Sequence, residues 1–296
     1  MSLSDGPLPA IKLTAAIQVG PRTEGCRRKV PVRRALAGGD QTRGGATAFA
    51  WPQGPNTLAR VAAVELSGVS VVGAGAFNPA IIHPQWLAAK GLVPERAASA
   101  AMESGGDEQL IVSNQLSAFT ADWLTVQVTQ EQAVFTTVEE GRELDLRDVA
   151  MGVFDLLPET PVDAVGINAA WHVRAQSEAD WHAFGDRFLP KDFWHQVFDG
   201  GDWRRREDGE AVGLRTMTVE VGRPEGSRRD GIVKMEVAPS TRIVPGIFAS
   251  VNAHFQLTLP EKARGSAYDA ARTLEEEWEE ARAQELTMLS RLFEAR

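Results

Sequence analysis

Two stretches of the chain carry polar side chains at alternate positions, and these side chains could bind a ligand or move a proton. The first stretch is Val162–Ala175 and the second is Ile247–Leu259. The polar residues singled out on one side of the two stretches are Asn168, His172, Arg174, Asn252, His254 and Gln256. Amide and imidazole groups can donate and accept hydrogen bonds, and an arginine suits a carboxylate or phosphate. These six residues form the predicted contact site for a ligand or partner.

A histidine in this group could instead act as a general base. A hydrolase using His172 or His254 would need an activated serine or threonine beside the ring. The sequence contains no G-x-S-x-G elbow, and its five histidines do not show zinc-site spacing. We therefore assign no catalytic residue, no metal ligand and no cofactor. Non-enzymatic binding is the first hypothesis and a hydrolase is the alternative.

A glycine-containing stretch, Val71–Asn78, follows a predicted strand in the way a dinucleotide-binding loop would. Asn78 stands where that motif needs its third glycine, and Pro79 follows at once. No strand ending in an acidic residue occurs about 20 residues later, where a ribose contact is expected. We interpret Gly73 and Gly75 as a glycine turn that ends the strand.

The next stretch, Phe77–Leu87, contains two prolines, a histidine and a tryptophan. Proline biases the preceding residue towards extended geometry, which applies here to Asn78 and His83. These two residues could lie at the mouth of a cleft. We favour the alternative, in which the stretch is a rigid connector anchored by its apolar side chains.

Alternation with period two is typical of a strand that has one face in a core. In Val162–Ala175 the apolar side is Val165, Ile167, Ala169, Trp171 and Val173. If this strand and Ile247–Leu259 belong to one sheet, their polar sides form one surface. The alternative is that helices cover this surface and that its polar groups satisfy one another internally.

The chain from residue 62 onward divides into two halves, 62–160 and 161–296, with the same order of elements. Each half reads as strand, helical segment, three strands and helix. The predicted strands are 64–73, 109–119, 122–129, 133–138, 162–175, 212–221, 232–238 and 247–259. The predicted helices are 84–90, 94–103, 142–157, one that starts at Ser177, 192–198 and 267–293. We predict a single α+β domain with antiparallel sheet and helices covering one face.

The helix that starts at Ser177 has a capping-box-like beginning, and Trp181, Phe184 and Phe188 are expected on its buried side. The last helix has an apolar stripe, consisting of Leu274, Trp278, Ala281, Leu286, Leu289 and Phe293. That stripe could pack on the sheet of the same chain or against a partner helix, so a homodimer through this helix is one alternative. The acidic run Glu275–Glu280 is interpreted as a solvated face.

Residues 1–61 differ from the rest of the chain in charge and pattern. Residues 1–60 hold nine basic and three acidic residues, whereas the remainder holds 22 basic and 37 acidic ones. Without sustained periodicity, such a segment is predicted to be a disordered basic extension, or to reflect a start codon assigned too far upstream. The acidic remainder is a poor match for a phosphate backbone. Any nucleic-acid binding is expected only through the extension.

The composition is that of a globular protein, with 43% hydrophobic and 24% charged residues in a chain of 296. The single cysteine, Cys26, excludes an intramolecular disulfide and a cysteine-built zinc site. No apolar run reaches the roughly 18 residues of a membrane span, so we expect a cytoplasmic protein with no membrane partner. The excess of arginine over lysine, with abundant alanine and glycine, is typical of high-GC bacterial genes.

Gly166-Ile167-Asn168 lies in a long predicted strand, and Asn252 lies in a later one. With these residues, its length and its order of elements, the region from about 66 to 260 resembles a family of uncharacterised, sporadically distributed bacterial proteins. The stretch Phe77–Leu87 and the tryptophan-rich middle depart from that pattern. The resemblance implies no activity. It favours an accessory component that is encoded beside the genes of its partners.

Overall fold

The computed structural model describes residues 64–103, 110–198, 212–223, 227–258 and 264–294. The predicted extension 1–61 and the charged loop 200–209 therefore lie outside the described residues. The strands are β1 (Val64–Gly75), β2 (Leu110–Val112), β3 (Leu116–Ala121), β4 (Leu124–Thr129), β5 (Gln132–Thr137), β6 (Val162–Arg174), β7 (Met217–Gly222), β8 (Gly231–Pro239) and β9 (Gly246–Gln256). The helices are α1 (Pro84–Ala89), α2 (Glu95–Glu103), α3 (Glu143–Leu156), α4 (Glu178–Asp186), α5 (Lys191–Val197) and α6 (Ala267–Glu294).

The nine described strands form one antiparallel sheet in the order β2-β3-β4-β5-β1-β6-β9-β8-β7. This confirms the predicted α+β class. The first strand of each half pairs with the last strand of the same half, β1 with β5 and β6 with β9. Strands β1 and β6 pair with each other at the centre, so the two halves continue one sheet with the same internal strand order. Strand β2 is an addition to the first half.

The helix-covered face of the sheet carries the apolar sides of the alternating strands. On β6 this side includes Val165, Ile167 and Trp171, all buried. Val165 and Ile167 belong to a first core cluster with Phe154 of α3 and Trp278 of α6, and Trp171 belongs to a second cluster with Leu289 of α6. Full burial of one such side chain stabilises the fold by about 1.5–3 kcal/mol relative to exposure.

The apolar stripe of α6 packs on the sheet of its own chain. Leu274, Trp278, Ala281 and Leu289 are buried, and Leu286 and Phe293 pack partly buried against the second core cluster. The acidic run on this helix is not uniformly solvated, because Glu277 is only 2% exposed. Its carboxylate accepts a 3.0 Å hydrogen bond from Arg223, whose guanidinium lies 4.4 Å from the ring centroid of Phe255.

Two predicted strand boundaries are wrong. The strand predicted over 109–119 is a hairpin of β2 and β3, because Ser113 turns the chain between them. The Ser113 hydroxyl accepts hydrogen bonds from the N–H groups of Gln115 at 3.3 Å and Leu116 at 3.0 Å. Serine favours turns because its side chain competes in this way with strand pairing. The strand predicted from Val212 begins only at Met217.

The interpretation of Gly73 and Gly75 as a turn is also wrong, because both lie within β1. A Cβ on Gly73 would lie 3.0 Å from the ring of Phe154, and one on Gly75 would lie 2.1 Å from the carbonyl oxygen of Pro161. The two glycines therefore let the strand approach α3 and the start of β6 closely.

Helix α4 begins as predicted, with Ser177 accepting a hydrogen bond from the N–H of Asp180 at 3.1 Å. Its aromatic residues are half-buried rather than buried. The reason is that α4 packs against the end of α6, where the rings of Phe184 and Phe293 stack at 5.4 Å, instead of lying flat on the sheet.

Candidate binding face of the sheet

The pairing of β6 with β9 places the predicted site residues on one face of the sheet. Asn168 lies directly opposite Asn252, and His254 lies opposite Gly166. This face is opposite the one packed against α3 and α6, and we call it the open face. None of its side chains belongs to the core clusters formed by the described residues. Those helices therefore do not pack on this face, although Ser70, Val72, Asn168 and Ala170 at its centre are buried.

A polar row crosses the open face from one strand to the next. Directly opposite residues on eight neighbouring strands form it: Thr120, Thr125, Thr136, Ser70, Asn168, Asn252, Lys234 and Glu220. With a strand spacing of about 4.8 Å, the row is about 34 Å long. Its only charged members are the last two, whose Nζ and Oε1 atoms lie 3.4 Å apart.

Hydrogen bonds fix several members of the row. The hydroxyls of Thr120 and Thr125 lie 3.1 Å apart, and the side-chain amide of Asn168 donates to the carbonyl oxygen of Ser70 at 3.3 Å. Thr136, Ser70 and Asn168 are buried. The centre of the row is therefore preorganised rather than freely rotating.

Small residues flank the centre of the row and shape the position of Asn252. A Cβ built on Gly166 would lie 3.4 Å from both amide atoms of Asn252, so this side chain lies over the glycine. The Oδ1 atom of Asn252 is buried and has no hydrogen-bond partner. A buried acceptor without a partner costs about 1–3 kcal/mol. The geometry at this residue is therefore not one of maximal stability.

His172 lies near one end of β6 and contacts the loop between β8 and β9. Its Nδ1 atom is 2.8 Å from the hydroxyl oxygen of Ser240. That oxygen already accepts hydrogen bonds from the N–H groups of Arg242 at 3.1 Å and Ile243 at 3.0 Å. The hydroxyl hydrogen therefore points to Nδ1. Burial, and secondly the charge of Arg242, lower the pKa of His172.

This serine is a poor nucleophile in the observed geometry. Ser240 is buried, and both of its lone pairs are engaged by backbone N–H groups of its own loop. The His172–Ser240 contact instead ties the β8–β9 loop to β6.

His254 lies in a different part of the open face. His172 is opposite Phe248, which is six positions from His254 along β9, so the two imidazoles are about 20 Å apart along the strands. Burial lowers the pKa of His254, while a hydrogen bond with Gln256 and the charge of Glu220 partly oppose this. The sheet therefore does not bring the two histidines into one catalytic cluster.

The remaining two predicted residues stabilise the ends of the paired strands. Arg174 forms a two-pronged ion pair with Glu65, including an Nη2–Oε2 contact of 2.8 Å, and this hydrogen bonding lowers the pKa of Glu65. Gln256 donates from Nε2 to the carbonyl oxygen of Asp163 at 3.1 Å. Of the six predicted residues, only Asn168 and Asn252 belong to the polar row.

Asn78 and His83 have local structural contacts that fit the rigid-connector interpretation. The Asn78 side chain accepts a hydrogen bond from the N–H of Ala80 at 3.2 Å. His83 is the N-cap of α1, where its Nδ1 accepts from the N–H of Trp86 at 3.3 Å and Pro84 occupies the first turn.

Within the described ranges, no three His, Cys, Asp or Glu side chains are grouped so that they could hold a metal ion. None of the described helices has the length and apolar character that crossing a membrane requires. The chain matches no family model, no curated protein and no solved structure. The geometry of the open face is therefore the basis for a functional proposal.

Proposed function

We propose that the protein is a non-enzymatic binding protein that engages a protein partner through the open face. The polar row is the observation that carries this proposal. Exposed strand faces and edges commonly carry lysines and other charged residues, which discourage association. Here the members of the row on six adjacent strands, in the sheet order β3-β4-β5-β1-β6-β9, are all uncharged. Depletion of charge is typical of the centre of a protein interface.

The shape of the face favours a macromolecule over a small ligand. Small molecules usually bind in concave pockets that enclose most of their surface. The polar row instead extends for about 34 Å across an open sheet. A protein can contact the exposed or half-buried members of the row at once, which are Thr120, Thr125, Asn252, Lys234 and Glu220.

The charge of the chain favours a protein over a nucleic acid. Beyond residue 60 the chain has 37 acidic and 22 basic residues. Nucleic-acid affinity depends largely on lysine and arginine contacts to phosphates. The one lysine of the row, Lys234, is already paired with Glu220.

A matched pair of threonine substitutions tests the proposal. Thr125 is an exposed member of the row, and Thr287 is exposed on α6. We expect Thr125→Lys to place a charge on the binding face and Thr287→Lys to leave that face unchanged. Affinity purification of the full chain from its source cells, followed by quantitative mass spectrometry, should recover the same partner with the wild type and Thr287→Lys but not with Thr125→Lys.

The thermal unfolding temperature of each variant is the control for folding. A second row variant, Asn252→Lys, should lose the same partner as Thr125→Lys. If the wild type and the three lysine variants are all folded and recover every captured protein equally, binding through the open face would be contradicted.

A further inference from the structure

The outer strands of the two halves differ in what lies beside them. Strand β3 of the first half pairs on its outer side with β2. Strand β7 holds the corresponding place in the second half, and no strand among the described residues pairs with its outer side. The terminal strand β2 has three residues, whereas β7 has six. A short edge strand is one feature by which proteins limit association, and the six-residue strand β7 does not have this feature.

The helix-side face of β7 is also uncovered. Val219 and Val221 on this strand are 52% and 55% exposed. The residues on the same face of β3, Phe119 and Ala121, are buried, and α2 packs on that strand. The second half therefore ends in an exposed apolar strand where the first half ends in a buried one.

Strand β7 carries few of the features that protect an edge. It contains no proline, and its pairing with β8 has no register shift. Its one charged residue, Glu220, lies on the open face beside Lys234. The free backbone N–H and C=O groups on the outer side of such a strand can pair with another strand.

We propose that β7 pairs antiparallel with β7 of a second copy of this chain, which joins the two sheets. The strand is self-complementary when Val219 lies opposite its own symmetry mate. In that register Met217 faces Val221 and Glu220 faces Thr218, so apolar residues meet on one face and no like charges meet on the other. The register in which Glu220 faces itself is disfavoured by repulsion. A two-fold symmetric pair is also the commonest arrangement of homo-oligomers.

This proposal places the dimer contact at β7 instead of α6. The apolar stripe of α6 is already used within the chain, since Leu274, Trp278 and Leu289 are buried there. The proposal does not depend on binding through the open face.

Light scattering of the full chain tests the oligomeric state. The wild type should have twice the chain mass of 32.1 kDa, and Val219→Lys or Val221→Lys should have the mass of one chain. Val112→Lys is the matched control, because Val112 is an exposed valine on β2 at the other end of the sheet. It should leave the dimer intact. A wild type of single-chain mass, or a dimer that only Val112→Lys dissociates, would overturn the proposal.

Disulfide crosslinking tests the register in a chain whose only cysteine has been removed by Cys26→Ser. Residues directly opposite in an antiparallel pair have Cα atoms about 4.5–5.5 Å apart, which suits a disulfide. Val219→Cys should therefore form a crosslinked dimer on oxidation. Glu220→Cys should not, because its symmetry mate lies diagonally at about 7–8 Å. Crosslinking of Glu220→Cys with none of Val219→Cys would overturn the proposed pairing.

Discussion

Asn168 and Asn252 lie directly opposite each other on β6 and β9, and the amide of Asn252 lies over Gly166 on β6. This pair is the centre of the polar row, with Ser70 on one side and Lys234 on the other. His172 on β6 and His254 on β9 lie towards opposite ends of this strand pair. The polar residues of the two strands thus form a line across the sheet rather than a compact catalytic cluster. That difference is why we propose binding rather than catalysis.

The two asparagines should differ in their effect on stability. Asn168→Ala should lower the free energy of unfolding by about 1 kcal/mol, because it removes the buried hydrogen bond to the carbonyl oxygen of Ser70. Asn252→Ala should leave it unchanged or raise it by up to about 1–3 kcal/mol, because it removes the Oδ1 atom that is buried without a partner. Urea unfolding of both variants measures the difference. A larger loss for Asn252→Ala than for Asn168→Ala would contradict the observed bonding pattern.

The alternation in the sequence predicts much of this site but not the full row. The periods of Val162–Ala175 and Ile247–Leu259 correctly place Asn168 and Asn252 on one face. Thr136, Ser70 and Lys234 join them only through the pairing registers of other strands. Register depends on contacts between residues far apart in the chain, so the period within one strand does not reveal it.

The buried charges on α6 show a second limit of sequence patterns. Glu277 occurs in an acidic run that is typical of a solvated surface. It is buried because Arg223, 54 residues earlier in the chain, donates a hydrogen bond to it. A buried carboxylate is tolerated when such a partner is present, and the helical pattern alone does not identify the partner.

Trp278 should be one of the side chains on which the attachment of α6 depends most. It is buried in the cluster that contains Leu274 and Ala281. Trp278→Ala should lower the free energy of unfolding by about 3–5 kcal/mol, since it removes a large buried ring and leaves a cavity. Tyr268→Ala on the same helix is the control, because Tyr268 is exposed. Similar losses for both variants in urea unfolding would be inconsistent with this packing.

His172 should make the fold less stable in acid. Its pKa is lowered in the folded protein, so the unfolded chain binds a proton more readily. The stability from neutral His172 is present above pH about 6.5 and is lost as pH falls through the folded pKa. Relative to the wild type, His172→Gln should therefore raise the free energy of unfolding at pH 5 compared with that at pH 8. The contribution of His254, whose pKa is also lowered, should remain. The matched control is His195→Gln, at an exposed position on α5. This variant should show the same change in the free energy of unfolding between pH 8 and pH 5 as the wild type.

Glu285 should make the free energy of unfolding depend on pH with the opposite sign to His172. This residue is fully buried on α6, and burial raises its pKa to about 8, although Arg282 donates a 2.6 Å hydrogen bond to it. The unfolded chain releases this proton near pH 4.5, the ordinary value. Between these values the folded state holds the extra proton, so stability is full below pH 4.5 and falls as pH rises towards 8.

Glu285→Gln removes this titration while keeping the size of the side chain. The variant should lose less stability than the wild type between pH 5 and pH 8, and the difference should amount to a few kcal/mol. Glu280→Gln, at an exposed position on the same helix, should follow the wild type over that range. Urea unfolding at several pH values measures all three chains. Equal pH dependence in the wild type and Glu285→Gln would show that the folded protein does not hold this carboxyl protonated.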